Sequence, residues 1–375
     1  MNEKTEHKLT LCMIVKNEER HISRCLSSVQ DIADEIVVVD TGSEDQTVQI
    51  CKSFNAQVYT HEWKNDFAKA RNAGLQHAKG DWILFLDADE ELDQETGSIL
   101  PSLLHDDLPS LGLLKIISYT GKQWDENEAF ESMQTRLFRN HQGISFKGKI
   151  HETLDLEEGE DNTAYFSLPC TIHHYGYLDQ EEKWKQKHKR NISILNEEFS
   201  QKTSDPWLVY HLASECYRVK EYEKALHLVN GSIFQFLSEQ RMPPSLLYFL
   251  KYSILLELKR YEEAEQGIDK ALQLYPDYVN LHFCKGVILY HLNKYRAAIK
   301  AFEISTQTES KHIEHIILKG ASDFRAFYYM GACHAELNHD MTAIAYLKKA
   351  VKINPRFKDA QTLLSQLKKD QRTKA

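Results

Sequence analysis

Between residues 9 and 87 short apolar runs alternate with segments of helical period. LTLCMIV (9–15) is followed by KNEERHISRCLSSVQDI, in which Ile22, Leu26 and Val29 recur on one face. EIVVVD (35–40) is followed by TGSEDQT, a turn whose Ser43 or Asp45 can cap the next helix, TVQICKSF. AQVYTHEW (56–63) precedes a helix over DFAKARNAGLQHA (66–78). The pair GD then turns the chain into a fourth strand, WILFLD (82–87). Runs this short and this apolar belong to strands buried on both faces. Their alternation with helices predicts a mostly parallel sheet flanked by helices on both faces. Ligands of such sheets bind beyond the carboxyl ends of the strands.

That rule gives meaning to the acidic run closing the fourth strand, LDADEELD. In an extended segment residues two apart face the same way, so Asp87 and Asp89 are expected to project together while Ala88 points away. Two carboxylates so close repel unless a cation or hydrogen bonds intervene. A hard divalent cation, Mg²⁺ or Mn²⁺, is the natural partner, because one or two carboxylates plus substrate phosphates make a typical site. Glu90, Glu91 and Asp93 are expected to open a helix or face solvent.

After about residue 178 the pattern becomes helical and repeats. EYEKAL, RYEEAE, KYRAAI and HDMTAI align on Ala225, Ala264, Ala298 and Ala343. Tyr222, Tyr261, Tyr295 and Asp340 stand three residues earlier, and Ser232, Ala271, Ser305 and Ala350 stand seven later. Small residues at these places let two helices cross closely, as in tetratricopeptide-type repeats with their period of about 34 residues. Insertions fall near RMPPS and STQTESKHIEH. The segment LDQEEKWKQKHKRNISILNEEF (178–199) reads as an amphipathic connecting helix, with its basic cluster 183–190 as a solvated face. The expected organisation is therefore an α/β domain over 1–178, a connecting helix over 179–204 and an all-α repeat domain over 205–375. Stacked helix pairs offer a curved surface for a peptide or a second subunit, hence a homodimer.

Charge and cysteine usage narrow the function. A net charge of −9 argues against nucleic acid as a partner, since phosphate binding needs clustered Lys and Arg. No apolar run approaches the ~20 residues of a membrane span, and MNEKTEHKLT has no secretory signal. The seven dispersed cysteines fit buried thiols in a cytoplasmic protein better than a disulfide framework or a zinc site.

The stretches LCMIVKNEERHISRCLSSV, EIVVVDTGSEDQT and NDFAKARNAGLQHAKGDWILFLDADEEL, in this order, closely resemble the family 2 glycosyltransferases of the GT-A fold, over roughly residues 8–180. The resemblance implies inverting transfer of a sugar from a nucleotide diphosphate sugar, most commonly a UDP-sugar in the family. It implies donor binding by Val15, Glu18, Asp40, Arg71, Asn72 and Asp87. It implies a metal held by Asp89, with Asp87 contacting metal or ribose. GKIHE resembles a motif of the bacterial family members that carry helical repeats. Glu152 is then a candidate general base, and His151 a residue that completes the metal site or touches the diphosphate. From RLFR, Arg136 and Arg139 are candidates to face the diphosphate, one of them alternatively an ion-pair partner. From HHYGY (173–177), His173 or His174 is a candidate metal ligand, with His174 preferred. The domain order is similar to that of bacterial peptide S- and O-glycosyltransferases of the sublancin type. The acceptor is therefore expected to be a Cys or Ser side chain of a peptide or protein, or else a glycan in cell-surface polysaccharide or glycolipid synthesis. A non-catalytic interaction protein would have lost Asp40, Asp87 or Asp89, and all three remain. A nucleotidyltransferase would need a Gly-rich basic loop, which VKNEER lacks.

Overall fold

A computed structural model describes residues 7–121, 123–156, 164–176, 178, 181–201, 205–310 and 312–374. Tyr177 of HHYGY and the side chains of residues 183–185 lie outside the described residues, as do 179, 180 and 202–204 at the expected domain boundaries. The chain divides into two compact units, Met1–Asp125 with Glu131–Glu198, and Glu126–Phe130 with Phe199–Ala375.

The elements of the first part run β1 (Leu9–Val15), α1 (Ile22–Val29), β2 (Glu35–Asp40), α2 (Thr47–Ser53), β3 (Gln57–Thr60), α3 (Phe67–Leu75), β4 (Trp82–Phe85), β5 (Glu90–Leu92), α4 (Gln94–Gly97), α5 (Leu100–Leu103), β6 (Leu111–Tyr119), β7 (Ala129–Arg139), β8 (Ser145–Lys147), β9 (Thr153–Asp155), β10 (Tyr165–His174) and α6 (Glu181–Gln201). The strand order is β3-β2-β1-β4-β7-β6-β10-β5. Pairing is parallel across β3, β2, β1 and β4, as the alternation predicts. Beyond β4 the sheet is mixed, with β7 antiparallel to β4 and β5 antiparallel to β10. In this part β6 and β10 are parallel, and the single turns α4 and α5 lie in the connection from β5 to β6, which β10 separates in the sheet. Leu9, Leu11, Trp82 and Leu84 are fully buried and pack with Leu26 and Val29 of α1. The register sets Val15 beside Asp40 and Cys12 beside Phe85, so β1, β2 and β4 end along one edge.

The second unit is a succession of helix pairs: α7 (Pro206–Arg218) with α8 (Tyr222–Ser238), α9 (Ser245–Glu257) with α10 (Tyr261–Leu274), α11 (Val279–His291) with α12 (Tyr295–Gln307), and α13 (Phe324–Glu336) with α14 (Asp340–Ile353), closed by α15 (Lys358–Lys374). Ala225, Ala264, Ala298 and Ala343 are all fully buried. A Cβ on Gly286 would stand 2.5 Å from the Phe302 ring, so the crossing of α11 and α12 requires glycine. Lys220, Lys259, Asn293 and Asn338, each five residues before the aligned alanine, all have φ between 56° and 64°. The repeat is thus marked by a left-handed turn inside every pair, a position that Lys adopts only at some cost. The two insertions lie between α8 and α9 and between α12 and α13, where the predicted ones fell; the latter carries the short strand β11 (Ile317–Leu318).

Candidate active site

Two loops at the shared strand edge are built first. Asp40 closes β2 and is buried; its carboxylate accepts from the amides of Gly42 (3.2 Å) and Ser43 (3.1 Å). Gly42 has φ +102°, which lets the turn double back. The Val15 carbonyl accepts from both the amide and the hydroxyl of Thr41 at 3.0 Å. The Glu18 amide donates to Thr47 Oγ1 at 2.7 Å, and the Glu18 carboxylate meets His21 Nδ1 at 3.0 Å. Gln46 is the N-cap of α2 and makes no side-chain cap bond; Asp45, one residue earlier, accepts from the Thr47 amide at 2.9 Å.

The acidic run departs from its predicted geometry. Strand β4 ends at Phe85, and the chain turns over Ala88 and Asp89, closed by the Glu90 amide on the Asp87 carbonyl at 3.0 Å. The pleat that would have aligned Asp87 with Asp89 is therefore absent, and the two carboxylates have different partners. Asp87 Oδ1 receives Arg71 Nη2 at 2.7 Å, while Arg71 Nε donates to Glu152 Oε1 at 2.5 Å. Arg71 is 7% exposed and Asp87 41%. Loss of water would raise the Asp87 carboxyl, but Arg71 and Arg136 outweigh it and hold it below the ordinary carboxylate range. Asp89 is 14% exposed, with its Oδ2 3.7 Å from His174 Nε2 and 3.5 Å from Lys187 Nζ of α6. Burial would raise this carboxyl too; Lys187, His174 and His21 reverse the sign and hold it well below the usual range. A Cβ on Gly176 would lie 2.1 Å from Asp89 Oδ2 and 2.8 Å from His174 Nε2, so this carboxylate sits in a cradle that any side chain would fill.

The candidates therefore separate. Arg71, Asp87 and Glu152 form one chain of contacts, and Asp89 with His174 another. Asn72 spends its side-chain amide on the Phe146 backbone, donating at 2.9 Å and accepting at 2.8 Å. His151 stands in the turn before β9 with φ +52°. His173, next to His174 on β10, faces the other way, to Tyr119 Oη (2.8 Å) and Asp93 (3.4 Å). Arg139 gives Nη2 to the carbonyls of His105, Asp106 and Leu108 and lies over the Trp82 ring, so it serves the backbone instead of a diphosphate.

Residues 10–175 match the family described as Glycosyl transferase family 2. This segment, less than half of the chain, resembles a family 2 glycosyltransferase domain. Similar proteins include a TPR repeat-containing protein of Synechococcus elongatus, 32% identical over 70% of this chain and 64% of its own length. The SPbeta prophage-derived glycosyltransferase SunS of Bacillus subtilis is 28% identical over 75% of this chain and 66% of its own. The chain thus spans slightly less than two thirds of the length of these relatives. Among solved structures, the TPR protein YrrB is 17% identical, covering 48% of this chain and 84% of that one, with a TM-score of 0.39.

Several residues of the glycosyltransferase domain had no adequate sequence signal. Glu90, expected at a helix start or in solvent, is 1% exposed in β5; its Oε1 accepts from Arg136 Nη2 at 2.8 Å and its Oε2 from the Asp87 amide at 3.0 Å. Asp93 alone of the three later acids caps a helix, accepting from the Thr96 amide. Glu91 meets Tyr175 Oη at 3.0 Å and Arg24 Nε at 3.6 Å. The basic cluster is not wholly a solvated face, because Lys187 reaches Asp89 and His188 is buried. A cavity of about 410 Å³ lined by His21, Arg24, Trp124, Tyr175 and Leu178 opens beside Asp89, whose carbonyl accepts the Tyr175 amide at 3.0 Å. All seven cysteines are free and buried. Among the described residues no helix is long and apolar enough to cross a membrane, and no cluster of three metal-ligating side chains occurs.

Proposed function

We propose that the chain transfers a sugar, with inversion, from a nucleotide diphosphate sugar of the UDP type to an acceptor, at the edge formed by β1, β2 and β4. The observation that carries this reading is the turn after β4 in the segment that matches family 2: it offers one half-exposed carboxylate locked by a buried arginine and one part-buried carboxylate held ionised. Asp40, Val15 and Glu18 shape the loops on which the nucleoside rests, and Asp87, oriented by Arg71, is directed at the ribose. Asp89 and His174 are the side chains that would hold Mg²⁺ or Mn²⁺. The cradle at Gly176 and the ammonium already at Asp89 both fit a cation there, with the diphosphate completing its shell. When bound, such an ion stabilises the negative charge developing on the departing diphosphate.

Glu152 receives a different role from the one its motif implied. Accepting a proton would cost Arg71 one of its two carboxylate partners. We therefore assign Glu152 to fixing Arg71, and through it Asp87. The acceptor is proposed to be a peptide or protein Cys or Ser side chain, recognised with the help of the repeats. The reach of the similarity to the B. subtilis glycosyltransferase supports a role for them, because 75% of the chain extends well beyond residues 10–175. Release of nucleoside diphosphate from a panel of nucleotide sugars with Mn²⁺ tests the reading. Wild type should turn over one donor class and Asp89→Ala none; turnover unaffected by Asp89→Ala would refute it.

A further inference from the structure

Lys187 stands on the carboxylate that the proposed function gives to the cation. Its ammonium, on helix α6, is 3.5 Å from Asp89 Oδ2; the His174 imidazole stands at 3.7 Å, the backbone of Gly176 comes close, and His21 adds to the field on the carboxylate. A carboxylate only 14% exposed needs a compensating charge. We propose that Lys187 supplies the charge that compensates Asp89 in competition with the cation, a positioning residue that must leave Asp89 when the metal binds.

Two consequences follow from electrostatics. A divalent ion ligated by Asp89 with the ammonium still in place would bring like charges within a few ångströms inside a partly dry site, where repulsion is strong. Free cation therefore binds weakly while Lys187 is on Asp89. A nucleoside diphosphate brings negative charge and oxygen ligands of its own, which offset the repulsion and draw the cation in. The Lys187 side chain is 37% exposed on a flexible stem, so it has a route off Asp89 into solvent. Cation and diphosphate then load with positive coupling, which by linkage is the same seen from either ligand.

This inference rests on Asp89 being a cation ligand, and the test separates the two. Mn²⁺ binding to the full chain is titrated by electron paramagnetic resonance, with and without UDP. Lys187→Gln should bind Mn²⁺ alone at least about tenfold more tightly than wild type, the response to removing ~1.4 kcal/mol of repulsion, and its coupling to UDP should shrink by the same factor. Lys187→Arg, which keeps the charge, should behave as wild type. Mn²⁺ affinity unchanged in Lys187→Gln, or raised equally in Lys187→Arg, overturns the inference. If Asp89→Ala abolishes Mn²⁺ binding while Lys187→Gln changes nothing, the cation site stands and the competing role of Lys187 falls. If Asp89→Ala binds Mn²⁺ like wild type, both fall.

Discussion

Replacing Glu90 by glutamine should destabilise the glycosyltransferase domain far more than the same change at its neighbour Glu91. Glu90 is 1% exposed and holds Arg136, itself 15% exposed, at 2.8 Å. Arg136 Nε is buried without a hydrogen-bond partner among the described residues, so losing the carboxylate takes from the guanidinium its paired charge and leaves Asp87 as partial compensation. Breaking a buried pair from one side costs about 3–5 kcal/mol. Because glutamine keeps one oxygen, the lower end applies, and about 3 kcal/mol is expected. Glutamine also sets its oxygen toward only one of the two donors, Arg136 Nη2 or the Asp87 amide, and turns an NH2 donor toward the other. For a unit of this size that corresponds to a fall in Tm of roughly 6–12 °C. Glu91→Gln removes only a part-exposed ion pair at 3.6 Å and keeps an acceptor for Tyr175, a loss within about 1 kcal/mol. Differential scanning calorimetry resolves the domain's own transition. Equal melting of Glu90→Gln and Glu91→Gln would refute the claim that the acidic run feeds a buried ion pair.

Three further outcomes are expected. Asn72→Ala leaves an amide and a carbonyl of Phe146 unsatisfied and should cost about 2–6 kcal/mol in urea denaturation, at about 1–3 per buried group, whatever donor is present. Gly176→Ala should keep the fold, because the clash is with two side-chain termini, yet abolish metal-dependent donor binding measured by calorimetric titration. The Asp89 carboxyl is held below its unfolded value of about 3.9, so its ionised form contributes stability that is full above that pH and is lost as pH falls through the lower, folded value. Asp89→Asn should therefore flatten the decline of the urea midpoint below about pH 4, and an unchanged slope would contradict the pairing with Lys187 and His174.

Much of this was legible in the residues. LTLCMIV and EIVVVD carry enough unbroken apolar sequence to specify buried strands, and their structural ends coincide with the apolar runs. The alanine alignment located every helix pair, since close crossings tolerate few alternatives. The failures have physical causes. Period-two reasoning assumes that a strand continues, and WILFLD stops two residues early because Glu90 folds back on Asp87. Glu90 looked like surface because its partner, Arg136, is distant in sequence and joins it only through the sheet. Lys187 was hidden in a basic run whose members look alike until α6 sets one of them on Asp89. Asn72 and Arg139 were placed by their neighbours in the family pattern, while the structure spends both on main-chain groups.

The central claim, a cation-assisted nucleotide-sugar site on the turn after β4, meets its most direct test in a thermal-shift screen of donors with Mn²⁺ and Mg²⁺. One class of nucleotide sugar should raise the Tm of wild type only with metal, by about 5–10 °C at a hundredfold excess over Kd, where binding adds ~2.7 kcal/mol. Asp89→Ala should show no shift. A donor that stabilises wild type and Asp89→Ala equally, or no stabilisation by any donor, would contradict the account.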